Sequence, residues 1–142
     1  LHMARLARDA KELSSGSVRR IERLSNRLDR LLAEPKQPSL LHGDLWTGNV
    51  LCAADGRGNR ISGFIDPAIY YGDAEIELAY ATMFGTFGDP FFARYRELRP
   101  IEEGFFEERR ELYLLYPLLV HVRLIGRGYA DQVETLLHRF GA

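Results

Sequence analysis

Asp44, Asn49 and Asp66 are the residues whose types and spacing carry chemistry. They lie in the runs His42-Gly43-Asp44-Leu45-Trp46-Thr47-Gly48-Asn49 and Phe64-Ile65-Asp66-Pro67. An Asp, an Asn five positions on, and a hydrophobic strand ending in a second Asp is the layout of a phosphoryl-transfer loop. In such a loop the first Asp accepts the proton of an attacking hydroxyl, and the Asn and second Asp hold magnesium on ATP phosphates. Magnesium is a hard cation and takes such oxygen ligands, with water and phosphate completing its shell.

The elements that must position these residues follow from the surrounding pattern. Val50–Cys52 and Ile61–Ile65 read as short strands. The Asp55-Gly56 and Gly58-Asn59 pairs between them suit a hairpin turn. That hairpin places Asn49 before its first strand and Asp66 after its second, so both come to one end. Ser39–Leu41 reads as a short apolar lead into the loop.

The rest reads as helical. Ala4–Leu13 is charged and helix-favouring, and Ser14–Ser17 offers N-cap oxygens. Val18, Ile21, Leu24, Leu28, Leu31 and Leu32 recur at helical spacing, which predicts one amphipathic helix over 18–33, ended by Pro35 and Pro38. Ala74–Phe84 follows Asp73 as N-cap. Pro90–Leu98 begins with a first-turn proline. Phe105–Ile125 is one long helix in which Pro117 should introduce a kink, and Asp131–Phe140 is the last. The 142 residues suffice for one domain, 1–142, with no internal boundary visible. The opening Leu1-His2-Met3 is read as a cloning remnant.

Hydrophobic residues make up 46% of the chain, a globular composition. The net charge of -1 argues against a nucleic-acid or anionic-membrane footprint. No apolar run approaches the ~20 residues of a membrane span. A single cysteine, Cys52, forms no internal disulfide and fits a reducing, cytoplasmic setting. Only Lys11 and Lys36 are lysines. A phosphate-clamping lysine belongs on a strand upstream of the loop, and neither sits in a β-rich context; Lys36 lies in the loop Pro35-Lys36-Gln37-Pro38.

The runs Leu40–Leu51 and Ile65–Glu75, then Glu77-Leu78-Ala79 with Met83-Phe84-Gly85, resemble the fructosamine kinase (ketosamine-3-kinase) family. His-Gly-Asp with Asn five residues after the Asp is shared with aminoglycoside and choline phosphotransferases. The Leu45-Trp46 pair and the Asp-Pro-Ala-x-Tyr-Tyr-Gly run narrow it. The resemblance implies phosphorylation of a ketoamine sugar hydroxyl with ATP and Mg2+, on a fold similar to protein kinases. The chain then reads as an α+β, mostly helical C-lobe with one small β-hairpin, lacking the N-lobe that carries the Gly-rich loop and its lysine.

In this reading Asp44 is the catalytic base, and Asn49 and Asp66 are the metal ligands. The bland alternative for each is a turn residue bonding its own backbone. Trp46 offers an indole face to a sugar ring, or else anchors the loop as a core residue. His121, with Arg123 on a mostly apolar helix, is a second candidate acceptor contact or a structurally paired residue. His42 braces the loop through hydrogen bonds. Asp73, Glu75 and Glu77 complement a helix dipole. Tyr70 and Tyr71 are packing residues, and Cys52 a buried small hydrophobe. The expected partner is a ketoamine sugar, free or on a glycated protein, and the lobe by itself is expected to be inactive. A kinase for another acceptor, such as an aminoglycoside, is the first alternative. A non-catalytic assembly module, dimerising through the surface the absent lobe leaves, is the second.

Overall fold

The computed structural model describes every residue except Lys36, Asp55 and Arg57. The expectations placed on Lys36 and on Asp55 in the hairpin turn lie outside the described residues. The chain divides into two compact units. One is formed by 1–33 with 107–142, the other by 34–106.

The first unit is helical. Its helices are α1 (His2–Asp9), α2 (Ser15–Ser25), α3 (Leu28–Leu31), α6 (Arg110–Ile125) and α7 (Ala130–Arg139). Ala4 and Ala7, both fully buried, give α1 a small-residue stripe that packs on α6. Val18, Ile21 and Leu24 on α2 and Val133, Leu136 and Leu137 on α7 are buried, and those two helices pack together. Ser14 caps α2 by accepting the Ser17 N–H at 2.9 Å. The helix predicted over 18–33 is broken: Asn26 ends α2, and α3 is a single turn. Ser25 turns its hydroxyl back to the Glu22 carbonyl at 2.8 Å, and Asn26 is a poor interior residue, so the apolar repeat outlasts the helix. Helix α1 stops at Asp9, short of the expected Leu13, and Lys11 takes a left-handed backbone, φ 63°.

The helix expected over 105–125 begins as a π-helical turn at Phe105–Arg109 and continues as α6. Helix α6 runs through Pro117 without division. His121, one turn on, donates from Nδ1 to the Pro117 carbonyl at 2.7 Å, and its ring lies 4.9 Å from that of Tyr129.

The second unit holds all the strands. These are β1 (Ser39–Leu41), β2 (Val50–Ala54), β3 (Asn59–Phe64) and β4 (Tyr70–Gly72), followed by α4 (Ala74–Met83) and α5 (Asp89–Leu98). The β2–β3 hairpin is antiparallel, pairing Val50 with Phe64, with an irregularity between Leu51 and Cys52. A second antiparallel pair joins β1 to β4, with Ser39 opposite Gly72 and Leu41 opposite Tyr70. The expectation of one hairpin therefore falls short by one sheet. Three-residue strands carry too little period-2 signal to be read from sequence. Two further expectations are corrected here. Cys52 is exposed, on a hairpin whose two strands are mostly exposed and bury no residue, and Tyr71 is 73% exposed. Tyr70 does pack, its ring lying over Gly43 and Gly72.

Candidate active site

The loop at 42–49 is gripped at three successive points by one face of α4. Asp73 caps that helix by accepting the Glu75 N–H at 3.0 Å. One turn further, the Glu77 carboxylate accepts two backbone N–H groups, from His42 at 2.5 Å and from Gly43 at 3.0 Å. The next turn presents Tyr80, whose hydroxyl donates to Asp44 Oδ1 at 2.7 Å. The turn after that presents Phe84, whose ring centroid lies 5.9 Å from that of Trp46. Residues 77, 80 and 84 share a face because helical positions three and four apart are neighbours.

Asp44 is held from a second side. Asn49 donates from Nδ2 to the Asp44 carbonyl at 2.9 Å and to Oδ2 at 3.0 Å. Both partners are pure acceptors, so the amide nitrogen must point at Asp44 and the amide oxygen away from it. Asn49 is buried, closing the 3-10 turn Thr47–Asn49 with its N–H on the Trp46 carbonyl at 2.9 Å. Its carbonyl accepts the Ile65 N–H at 3.1 Å, which ties the loop to the far strand of the hairpin.

Asp66 follows two residues after Phe64, the partner of Val50, so the hairpin brings Asn49 and Asp66 to one end. Asp66 is exposed and adopts a left-handed backbone, φ 55°. Such a conformation is uncommon outside glycine and collects at functional turns. Among the described residues no group of three or more His, Cys, Asp or Glu is arranged to hold a metal. A cation here would rest on the Asn49 amide oxygen, the Asp66 carboxylate and oxygens of a phosphate ligand. This short hard-oxygen set suits Mg2+, which keeps waters and substrate phosphates in its shell.

His42 uses both ring nitrogens structurally. Nδ1 accepts the Asp44 N–H at 3.3 Å, so the proton sits on Nε2, which donates to the Ile65 carbonyl at 2.9 Å. Gly43 has φ 81°, and a Cβ there would meet the Ala68 carbonyl oxygen at 2.3 Å. The loop and the segment after Asp66 thus touch backbone to backbone, joined by the Ala68 N–H on the His42 carbonyl at 2.8 Å. Trp46 is 40% exposed and lies over Gly48, where a Cβ would sit 2.4 Å from the indole.

Asp44, Trp46, Asn49 and Asp66 all fall in the 34–106 unit; His121 belongs to the other. Sequence reasoning missed Glu77 and Tyr80 as site residues. The signal was present in the 77–80–84 spacing at α4, but Glu77 reads from sequence as one of the acids complementing the helix dipole, and Tyr80 was given no role.

Comparison with known proteins finds relatives along most of the chain. The family model described as fructosamine kinase matches residues 3–141. A protein of Enterococcus faecium named "Probable ketoamine kinase" is 39% identical over 135 residues, covering 92% of this chain and 47% of that one. A chloroplastic protein-ribulosamine 3-kinase of Oryza sativa subsp. japonica is 43% identical over 101 residues, 71% of this chain and 28% of that one. A Thermobifida fusca YX-ER1 crystal structure assigned as a fructosamine-3-kinase superposes with a TM-score of 0.77 at 38% identity, covering 97% of this chain and 48% of that one. The chain thus spans about half the length, or less, of these relatives.

Proposed function

The chain belongs to the fructosamine kinase family, and from that premise we propose that it forms the acceptor and metal side of an active site that phosphorylates a ketoamine sugar hydroxyl. The observation that carries this reading is Asp44, a carboxylate with each oxygen held by a separate side chain, Asn49 and Tyr80, with Asn49 and Asp66 at one end of the β2–β3 hairpin.

Asp44 orients the sugar hydroxyl and takes its proton, using the lone pairs that Tyr80 and Asn49 leave open. ATP, with Mg2+ neutralising its phosphates, supplies the phosphoryl group: the bond to the sugar oxygen forms as the bond to ADP breaks. Asn49 and Asp66 are the residues that would hold the metal. Trp46, half-exposed two residues from Asp44, presents an indole face that suits the apolar face of a sugar ring. The names of the relatives favour a ketoamine over an aminoglycoside.

No helix among the described residues is long and apolar enough to cross a membrane. The sheet unit also exposes Leu40 at 59%, Ile69 at 62% and Tyr71 at 73%. We read these as a surface on which a second copy associates, which static light scattering would report as twice the monomer mass.

The experiment is a radiolabelled ATP assay with fructosyl-lysine, run on the full-length kinase and on the 142-residue chain. Transfer by the full-length protein that is abolished by Asp44→Asn supports the reading, with the chain alone inactive. Transfer that survives Asp44→Asn removes Asp44 from the chemistry.

A further inference from the structure

We infer that Tyr80 is a positioning residue for the proposed base: its hydroxyl fixes the rotation of the Asp44 carboxylate and so selects the lone pair that meets the sugar hydroxyl. The inference rests on the reading of Asp44 as the base, but the contact itself does not. A carboxylate turns easily about the bond to Cβ, and one hydrogen bond leaves that rotation soft. Here two donors reach it from opposite elements, Tyr80 on α4 at 2.7 Å to Oδ1 and Asn49 on the loop at 3.0 Å to Oδ2. Together they define the carboxylate plane.

The two donors are not equivalent. Asn49 also holds the Asp44 backbone carbonyl, and its own backbone closes the loop. Removing it disturbs the loop as a whole. Tyr80 reaches Asp44 through its hydroxyl, while its ring packs edge-on against Phe84 at 5.9 Å. Phenylalanine at 80 keeps that packing and deletes one donor.

When the hydroxyl oxygen attacks, its proton passes to Asp44 and the phosphoryl group leaves ADP. A carboxylate free to swing spends less time aligned with that proton. The alignment matters only as the proton moves, so its loss falls on kcat and leaves ground-state binding of sugar and ATP in place.

Two measurements on Tyr80→Phe test this. In the full-length kinase, kcat with fructosyl-lysine is expected to fall roughly tenfold to a hundredfold, with both KM values within about twofold. In the 142-residue chain labelled with 13C at the aspartate carboxyls, the Asp44 resonance, assigned by its loss in Asp44→Asn, is expected to move. An unchanged kcat overturns the inference, as does a rise in KM at constant kcat. An unmoved Asp44 resonance overturns it as well, because the contact would then be absent in solution. If the unaltered full-length kinase transfers no phosphoryl group to fructosyl-lysine, the functional reading falls, and the carboxyl resonance alone decides whether Tyr80 holds Asp44.

Discussion

Glu77 holds Gly43 by its backbone: Oε1 accepts the Gly43 N–H at 3.0 Å while Oε2 takes the N–H of His42. A single carboxylate thus satisfies two adjacent donors of a loop that forms no ladder at that point, and buried or half-buried donors left unmet are costly. The grip also sets the height of the loop against α4, since Tyr80 on the next turn meets the next residue, Asp44.

Glu77→Gln should therefore cost stability although it is nearly isosteric. The amide can accept one N–H, but its NH2 group then faces the other donor. A loss of about 1–3 kcal/mol is expected, the range for a charge-assisted bond replaced by an unmet one. Urea denaturation of the chain measures it. An unchanged midpoint would show that the two N–H groups find water instead.

Gly43 can be tested against a matched control. Gly43 and Gly56 both have left-handed backbones, φ 81° and 79°, but a Cβ at Gly43 meets the Ala68 carbonyl oxygen at 2.3 Å, while at Gly56 nothing lies within 4 Å. Gly56→Ala should show only the conformational cost of roughly 1–2 kcal/mol. Gly43→Ala should exceed it, because the backbones must part and the His42–Ala68 bond is lost. Equal destabilisation of the two variants would mean that the close approach at Ala68 relaxes freely.

Much of this arrangement was legible in the residues, for reasons the structure makes plain. The hairpin and its end-on placement of Asn49 and Asp66 followed from strand-like runs around glycine-rich turn residues. The caps at Ser14 and Asp73 followed from residue type, and the structure forms both. The β1–β4 pair was not legible, because three-residue strands depend on a partner some 30 positions away and on the close approach at Gly43 and Gly72. The break at Asn26 was hidden by leucines that keep helical spacing through it. Glu77 and Tyr80 were hidden differently. Their roles depend on which loop faces α4, a tertiary fact that local periodicity does not contain.

Trp46 is the sole tryptophan, so its fluorescence reports the loop without background. Its indole occupies the space a side chain at 48 would need, with Cζ2 at 2.4 Å and Cη2 at 2.5 Å from a Cβ there. Gly48→Ala should push the ring off the loop, break its contact with Phe84, and shift the emission to longer wavelength. The backbone of Gly48 is not left-handed, so the effect is steric rather than conformational. Unshifted emission would place the indole elsewhere in solution.

Tyr95 gives the unit containing α5 a dependence on alkaline pH. Burial pushes its phenol above the usual tyrosine value; Arg99 opposes this, and the carboxylates of Asp73 and Glu75 reinforce it. The protonated form is therefore favoured in the folded chain relative to the unfolded one, whose tyrosine titrates near 10. As pH rises past that value the unfolded chain releases its proton first and binds fewer protons than the folded chain, so stability falls with pH. The contribution is fully present below about pH 10 and is lost as pH climbs through the raised value. Tyr95→Phe removes the ionisation and should flatten this alkaline limb. The melting temperature followed upward from pH 9 in both proteins is the measurement, and parallel curves would show that Tyr95 titrates alike in the folded and unfolded chain.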